Sequence, residues 1–381
     1  MKIIHTADWH IGKVVNNFSM LDDQIALLNP WIDEVNDLNP DVVLLAGDLY
    51  DRSLPNRETV AAVNQLLTKM SESLSCPIVI IAGNHDSGER IDYVSQLLAN
   101  QSLYLAGLPS HQPQKIMVNN ADIYLLPFAD HLTIARMYPD IPIHNIEDAV
   151  KYQLSLIKQD WDADKYHLLM YHGYVTPSRH TDEGHEELVY SDSERPTEIG
   201  TSEFIPSQLF RDFDYVALGH LHAAQRVGAD NIRYSGSPLK YSKSEARHRK
   251  QYLEVDLTAN GVEVTSHEFR PPHDLRVIRG LFADIITKKS TDYVFVELMD
   301  ETVIHEGMER LRRQYPQIMG LEYVNLARRQ HHQTAENMAQ LAQKSPQAYF
   351  EDFFVEMTGN ELTNHQRDIV KELWQTVEEE E

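Results

Sequence analysis

Between Met1 and about Arg270, short apolar runs rich in β-branched residues alternate with stretches whose apolar positions recur every three or four residues. The first kind predicts strands over Lys2–His5, Val42–Ala46, Ile78–Ala82, Ile123–Leu126, His167–Tyr171 and Tyr215–Leu218. The second kind predicts helices over Leu21–Asn36 and Thr59–Ser73. Alternation of this sort marks a layered α/β domain, in which helices cover sheet faces. The polar stretch Thr176–Phe204 contains Pro177, Gly184, Pro196 and Gly200 and reads as a long loop. Loops of that length inside a domain are commonly functional.

The pattern changes at Pro271-Pro272. Beyond it, strands are predicted over Leu275–Arg279, Tyr293–Leu298 and Leu321–Leu326, with an amphipathic helix over Ile304–Tyr315. That is a second, small α/β unit. From about Thr334 the chain reads as helical and acidic, with a last helix over His365–Val377. The expected division is 1–270, 271–333 and 334–381. In the last part Phe350, Phe353, Phe354 and Met357 fall on one helical face, and Ile369, Val370, Leu373 and Trp374 follow on a second helix past Gly359.

Composition narrows the class. A chain of 381 residues with 42% hydrophobic and 24% charged residues is that of an ordinary globular protein. No apolar run approaches the roughly 18 residues that span a bilayer, and the apolar start at Met1–His5 is too short for a signal peptide. The single cysteine, Cys76, has no partner for an intramolecular disulfide, so a cytoplasmic location without membrane attachment is expected. The net charge of −24 argues against nucleic acid as a partner, because phosphate contacts favour a basic surface. Carboxylates that hold cations are offset locally, and a small basic patch can still guide a polyanion. Charge alone would turn the reading away from DNA. Only the motifs turn it back.

Five motifs place metal-ligating side chains directly after a predicted strand: Asp8-Trp9-His10, Gly47-Asp48, Gly83-Asn84-His85-Asp86, His172-Gly173 and Gly219-His220-Leu221-His222. In an open α/β sheet the crevice beyond the strands' carboxyl ends is where sites form, so loops far apart in sequence can converge there. Carboxylate and imidazole together suit divalent ions such as manganese, iron or zinc. A bridging carboxylate can hold two metals about 3.5–4 Å apart, a spacing that grips both oxygens of a phosphoryl transfer.

In this order the five motifs resemble the calcineurin-like metallophosphoesterase superfamily. Within it, the whole chain resembles the SbcD family of bacterial nuclease subunits. The similarity lies in His5-Thr6-Ala7-Asp8-Trp9-His10-Ile11-Gly12, in Ser191-Asp192-Ser193-Glu194-Arg195-Pro196, in Asp214–His222, in Tyr234-Ser235-Gly236-Ser237-Pro238 and in Tyr349-Phe350-Glu351-Asp352-Phe353-Phe354. The resemblance implies a layered α/β phosphoesterase domain, a small α/β capping domain and C-terminal helices. It implies one metal on Asp8, His10, Asp48 and His222 and a second on Asp48, Asn84, His172 and His220, with Asp48 bridging. By the same resemblance the ions are usually manganese, His85 protonates the leaving oxygen, and Asp86 orients or tunes it. The implied activity is 3′-to-5′ exonuclease on duplex ends and endonuclease on single strands or hairpins. The implied partners are DNA and an SbcC-type ATPase, in a heterotetramer built on a homodimer of this chain. Asp51 stands where archaeal and eukaryotic relatives carry a histidine.

Other residues have plainer readings. Of 19 histidines, His111, His131, His144, His180 and His185 read as surface residues. Asp51 is either a turn carboxylate capping the helix near Arg57 or a group close to the metals. Trp9 reads as packing beside the site. Arg247, His248, Arg249 and Lys250, with Lys240 and Lys243, either track a phosphate backbone or form a solvated run. Two other functions stay open: a small-substrate phosphodiesterase or phosphatase on the same scaffold, and a non-catalytic scaffold subunit.

Overall fold

Lys2–Thr6, Val42–Ala46, Ile78–Ile81 and Leu103–Ala106 are parallel neighbours in a six-stranded sheet. The hairpin Gln251–Thr258/Gly261–Glu268 closes its other side, antiparallel to Lys2–Thr6. A second six-stranded sheet runs in the order Gln225–Val227, Ala229–Tyr234, Tyr215–Gly219, Tyr166–His172, Ala121–Leu126, Gln114–Val118, with its four central strands parallel. The structure, a computed structural model, describes residues 1–177, 188–192, 194, 204–326, 346–358 and 361–380. His180, His185, Gly359 and the helical reading over 334–345 lie outside the described residues.

The two sheets pack face to face. Ile3, Val42, Leu44, Val79 and Ile81 of the first meet Ile123, Leu125, Leu168, Met170 and Ala217 of the second in one buried cluster. Both faces of each central strand are therefore apolar, which is why these strands read as continuous hydrophobic runs. The outer face of the first sheet is covered by the helices Leu21–Leu38 and Arg57–Ser73, through Leu28, Trp31, Ile32, Val63 and Leu66. The outer face of the second is covered by Ile146–Gln159 through Val150, Leu154 and Ile157. The order of layers is helix, sheet, sheet, helix. His5 ties the sheets together: its Nδ1 lies 2.9 Å from the Tyr215 hydroxyl and its Nε2 3.2 Å from the Leu218 carbonyl. Burial pushes that imidazole down to about 3, so it is a neutral core residue.

The chain divides into two compact units that are not contiguous in sequence. The first comprises Met1–Val277, Ser290–Phe295 and Tyr315–Gly320; the second comprises Ile278–Lys289, Val296–Gln314 and Leu321–Glu381. A three-stranded sheet has the order Leu275–Gly280, Tyr293–Leu298, Ile318–Tyr323. Its last strand begins three residues before the sequence-based expectation, because the buried pair Ile318 and Met319 opens the strand. The helix expected over Ile304–Tyr315 is confined to Gly307–Arg312 and starts after Glu306, whose backbone is left-handed. In the second unit the helices Pro346–Thr358 and Asn364–Glu380 are joined by an ion pair between Glu351 and Arg367 at 3.2 Å. Among the described residues no helix is long and apolar enough to cross a membrane.

Candidate metal centre

The five motifs sit at the carboxyl ends of five central strands, three from the first sheet and two from the second. An open sheet would have gathered them along one crevice; here the edges of two stacked sheets meet. The backbone turns sharply to bring the side chains in. Asp8, His10, Asp48 and His220 all have positive φ, at 54°, 45°, 52° and 111°. Such conformations cost on the order of 1–3 kcal/mol each in non-glycine residues and persist only when surroundings enforce them. The enforcing contacts are hydrogen bonds: the amides of Asp8 and His10 donate to the carbonyls of Gly47 and Asp48 at 3.0 and 2.9 Å. The His220 amide donates to Asp8 Oδ1 at 2.9 Å. Two glycines allow the sheets' edges to close. A Cβ on Gly47 would overlap the His172 ring, and one on Gly219 would overlap the Ala46 carbonyl.

Two sets of donor atoms result, and they share one oxygen. Asp48 Oδ2 lies 3.4 Å from His10 Nε2 and 3.4 Å from His172 Nε2. On one side His10 Nε2 is 3.1 Å from His222 Nε2, and Asp8 Oδ2 is buried without a hydrogen-bond partner among the described residues. On the other side Asn84 Oδ1 is 3.0 Å from both His172 Nε2 and His220 Nδ1. Unpaired buried oxygen and mutually facing imidazole nitrogens are costly in a dry interior, and a bound cation relieves both. The donor set of imidazole, carboxylate and amide oxygen fits two divalent metal ions.

Each inner histidine is aimed by its other nitrogen, but by different means. His172 Nδ1 donates to the Ala46 carbonyl at 2.8 Å, leaving Nε2 for the centre. His222 Nδ1 instead faces two carboxylates, Glu194 Oε1 at 3.1 Å and Glu245 Oε1 at 3.2 Å. Glu245 is fully buried and also holds the Lys250 ammonium at 2.5 Å. Lys250 in turn donates to the His222 carbonyl and to Ser237 Oγ, both at 2.8 Å. Glu194, His222 and Glu245 have the spacing of a third metal site. Lys250 already supplies the positive charge there.

Burial and charge set the protonation. Burial raises the Asp8 carboxyl to about 7, partly opposed by His172 and His222. Burial lowers His10 well below its ordinary value and lowers His220 to about 3. Burial alone would raise Asp48, but His172 and His10 hold it well below the usual carboxylate range. Burial alone would lower His172, but Asp48 raises it to about 9. His222 is likewise raised, against burial, by Glu245 and Glu194. Imidazole must shed its proton to ligate, so cation and proton compete for this cluster.

The remaining motif residues hold different positions. His85 lines the cleft, and its Nδ1 lies 2.9 Å from the Asp51 carbonyl. The Asp86 carboxylate accepts the amides of Leu49, Tyr50 and Gly83 at 3.1, 2.8 and 2.9 Å, and burial raises it to about 7. The helix starting at Arg57 is capped by Asn56, whose side chain accepts the Thr59 amide at 2.8 Å; Asp51 is not its cap. The Asp51 carboxylate pairs with Lys13 at 2.7 Å and lies 3.7 Å from His10 Nδ1, which places it beside the centre. Trp9 is buried, with its indole donating to Thr6 Oγ1 at 2.9 Å and its ring edge-on to Trp31. His131 is half-buried and lines the same cleft of about 340 Å³, while His111 and His144 are exposed.

The sequence profile of the calcineurin-like phosphoesterases matches residues 1–224. The chain belongs to that family. A second profile, described as the type 5 capsule protein repressor C-terminal domain of SbcD proteins, matches residues 271–358. The phosphoesterase is 32% identical over 379 residues to the SbcD subunit of the nuclease SbcCD of Staphylococcus epidermidis, covering 98% of each chain. Among solved structures it is similar to a dimetal phosphatase from Danio rerio, at TM-score 0.41 and 10% identity over 71% of this chain and 99% of that one. It is also similar to the calcineurin-like phosphoesterase YfkN from Bacillus subtilis, at TM-score 0.34 and 11% identity over 71% and 90%. Sequence reasoning on this phosphoesterase missed Glu245, and it named Lys250 only within a run that either tracks a phosphate backbone or is solvated; Lys250 does neither, being buried against Glu245. Glu194 lay inside a stretch already noted for its resemblance, and a glutamate among Ser191, Asp192 and Pro196 was the signal there.

Proposed function

We infer that this chain is the nuclease subunit of an SbcCD-type complex and hydrolyses phosphodiester bonds in DNA. The observation that carries this is Asp48 Oδ2, set equally between two donor groups, in a chain similar end to end to an SbcD nuclease subunit. Asp8, His10, Asp48 and His222 would hold one ion and Asp48, Asn84, His172 and His220 the other, with manganese as the proposed metal. When bound, the ions supply the positive charge that phosphoryl transfer needs and make water a competent nucleophile at neutral pH.

The chain's own groups do the rest. His85 Nδ1–H donates to the Asp51 carbonyl, which fixes the ring's orientation and leaves Nε2 free for the substrate; in the imidazolium form Nε2–H would give its proton to the leaving sugar oxygen. Asp86 gathers three amides from two loops and so fixes the turn that presents Asn84 and His85; it acts by positioning. The resemblance supports 3′-to-5′ exonuclease action on duplex ends and endonuclease action on single strands or hairpins. It also supports residues 271–333 as the capping domain.

The same reading makes residues 334–381 the docking segment for an SbcC-type ATPase. Phe353 and Met357 on one helix, and Ile369 and Leu373 on the next, are exposed apolar pairs four residues apart. In the proposed assembly two copies of this chain join two ATPase subunits in the cytoplasm. Truncation after Ser345 should keep manganese-dependent cutting and lose co-purification with the ATPase. The deciding experiment compares linear duplex DNA with a chromogenic phosphodiester, both with manganese. Turnover of the diester without any cutting of DNA would make the chain a small-substrate phosphodiesterase.

A further inference from the structure

The basic run Lys240–Lys250 has a different fate from residue to residue. Lys250 is buried and consumed by Glu245, Ser237 and the His222 carbonyl. Lys240 is held by Asp274 at 2.8 Å and by the carbonyls of Ala246 and Leu275. Arg249 is exposed and, among the described residues, has no ion pair or hydrogen-bond partner; the same holds for Arg270. Both line one cavity of about 310 Å³ in the first unit, separate from the metal cleft. His248 lines it too, and its Nδ1 is buried without a partner among the described residues.

Two unpaired guanidiniums and an unpaired imidazole nitrogen around a cavity are unexpected in a chain of net charge −24, where carboxylates outnumber cations. Among the described residues Glu268 is the one acid on the wall outside the Lys240–Asp274 pair, so the described lining stays net positive. Guanidinium forks match the oxygens of a phosphate, and an imidazole nitrogen adds a further contact. The cavity is also next to the reaction centre. Lys250 lines it and donates to the carbonyl of His222, whose ring faces the metal cleft. Met20 lines it and bonds through its amide to Lys13, which lines the cleft.

We propose that Arg249, Arg270 and His248 form a phosphate subsite that grips the backbone of the DNA strand away from the scissile bond. The proposal rests on the nuclease reading and adds to it a grip that a small diester does not reach. It also separates strand binding from catalysis: this subsite touches neither donor set.

The test is the double variant Arg249→Ala/Arg270→Ala, assayed with manganese on linear duplex DNA and on a chromogenic diester. KM for DNA should rise about tenfold or more while kcat and turnover of the diester stay unchanged. Removing each phosphate-binding guanidinium should flatten the slope of log affinity against log salt by about 0.9, so the double variant should be flatter by up to about 1.8. A control with the same loss of charge outside the cavity, Arg57→Ala/Arg211→Ala, should leave KM near wild type. Equal effects in variant and control would reduce the subsite to overall charge and overturn the proposal. So would an unchanged KM and slope in a double variant that melts like wild type. If wild-type protein cuts the diester and never DNA, the nuclease reading itself has failed, and the two failures are distinct.

Discussion

His172 and His222 occupy matching places in the two donor sets, yet the fold aims them by opposite means. His172 leans on the neutral Ala46 carbonyl, and Gly47 and Gly219 let the backbone come that close. His222 leans on Glu194 and Glu245, two buried carboxylates whose charge Lys250 partly offsets. A carbonyl fixes direction and tautomer. A carboxylate does that and makes the imidazole a stronger ligand, at the cost of a buried charge that needs its own partner. The half of the centre around His222 is thus tuned by side chains and open to mutation, while the half around His172 is built into the backbone.

The largest effect should come from the atom common to both halves. Asp48→Asn is expected to abolish DNA cleavage and tight binding of two manganese equivalents, read by calorimetry. Two ions bound at wild-type affinity would sink the shared-ligand assignment and with it the comparison. Next comes a residue belonging to neither half. His85→Gln should keep both ions and lower the cleavage rate on the order of 10²–10⁴-fold, as for loss of a general acid. Loss of an ion in that variant would put His85 among the ligands.

Glu245→Gln addresses the difference itself. One manganese equivalent should weaken about 10–100-fold, the usual cost of removing an outer carboxylate, and the other should stay as it was. Equal weakening of both would show that the two halves are not independently tuned. A smaller effect is expected where the same chemistry is remote from the centre. Asp122 is buried, and its Lys115 and Lys165 partners at 2.9 and 3.1 Å hold it below the usual range against the opposing pull of burial. A depressed folded value means stability that is present above the unfolded value of about 3.9 and lost as pH falls through the folded one. Lys115→Met should therefore lower Tm by about 2–4 °C at pH 7, with the gap to wild type closing as pH falls below the unfolded carboxylate value and through the lowered folded one. A gap that persists in acid would assign the loss to packing.

Legibility along the chain followed burial. Val42–Ala46 is buried on both faces, and its apolar run gives the strand to the residue. The hairpin Gln251–Thr258/Gly261–Glu268 was overlooked because its edge strand alternates exposed and half-buried positions and carries Glu263, His267 and Glu268. Leu103–Ala106 is four residues long, too short for any period to register. The expected layered α/β domain is what the structure holds, but the pairing of two sheets was not legible, since an apolar run says that both faces are covered but not by what.

The residue types at the centre were determined by the sequence alone. Aspartate, histidine and asparagine stood after strand-forming runs, and their ligating chemistry belongs to the side chains wherever they are placed. The tertiary structure decided which of them share an oxygen, and how each ring is aimed. Glu245 and Lys250 lie five residues apart in a run whose pattern left open phosphate contact or solvated charge, and only the packing around His222 removes them from water. Desolvation depends on neighbours more than 20 residues away, such as Glu245 and His222, and no local pattern encodes it.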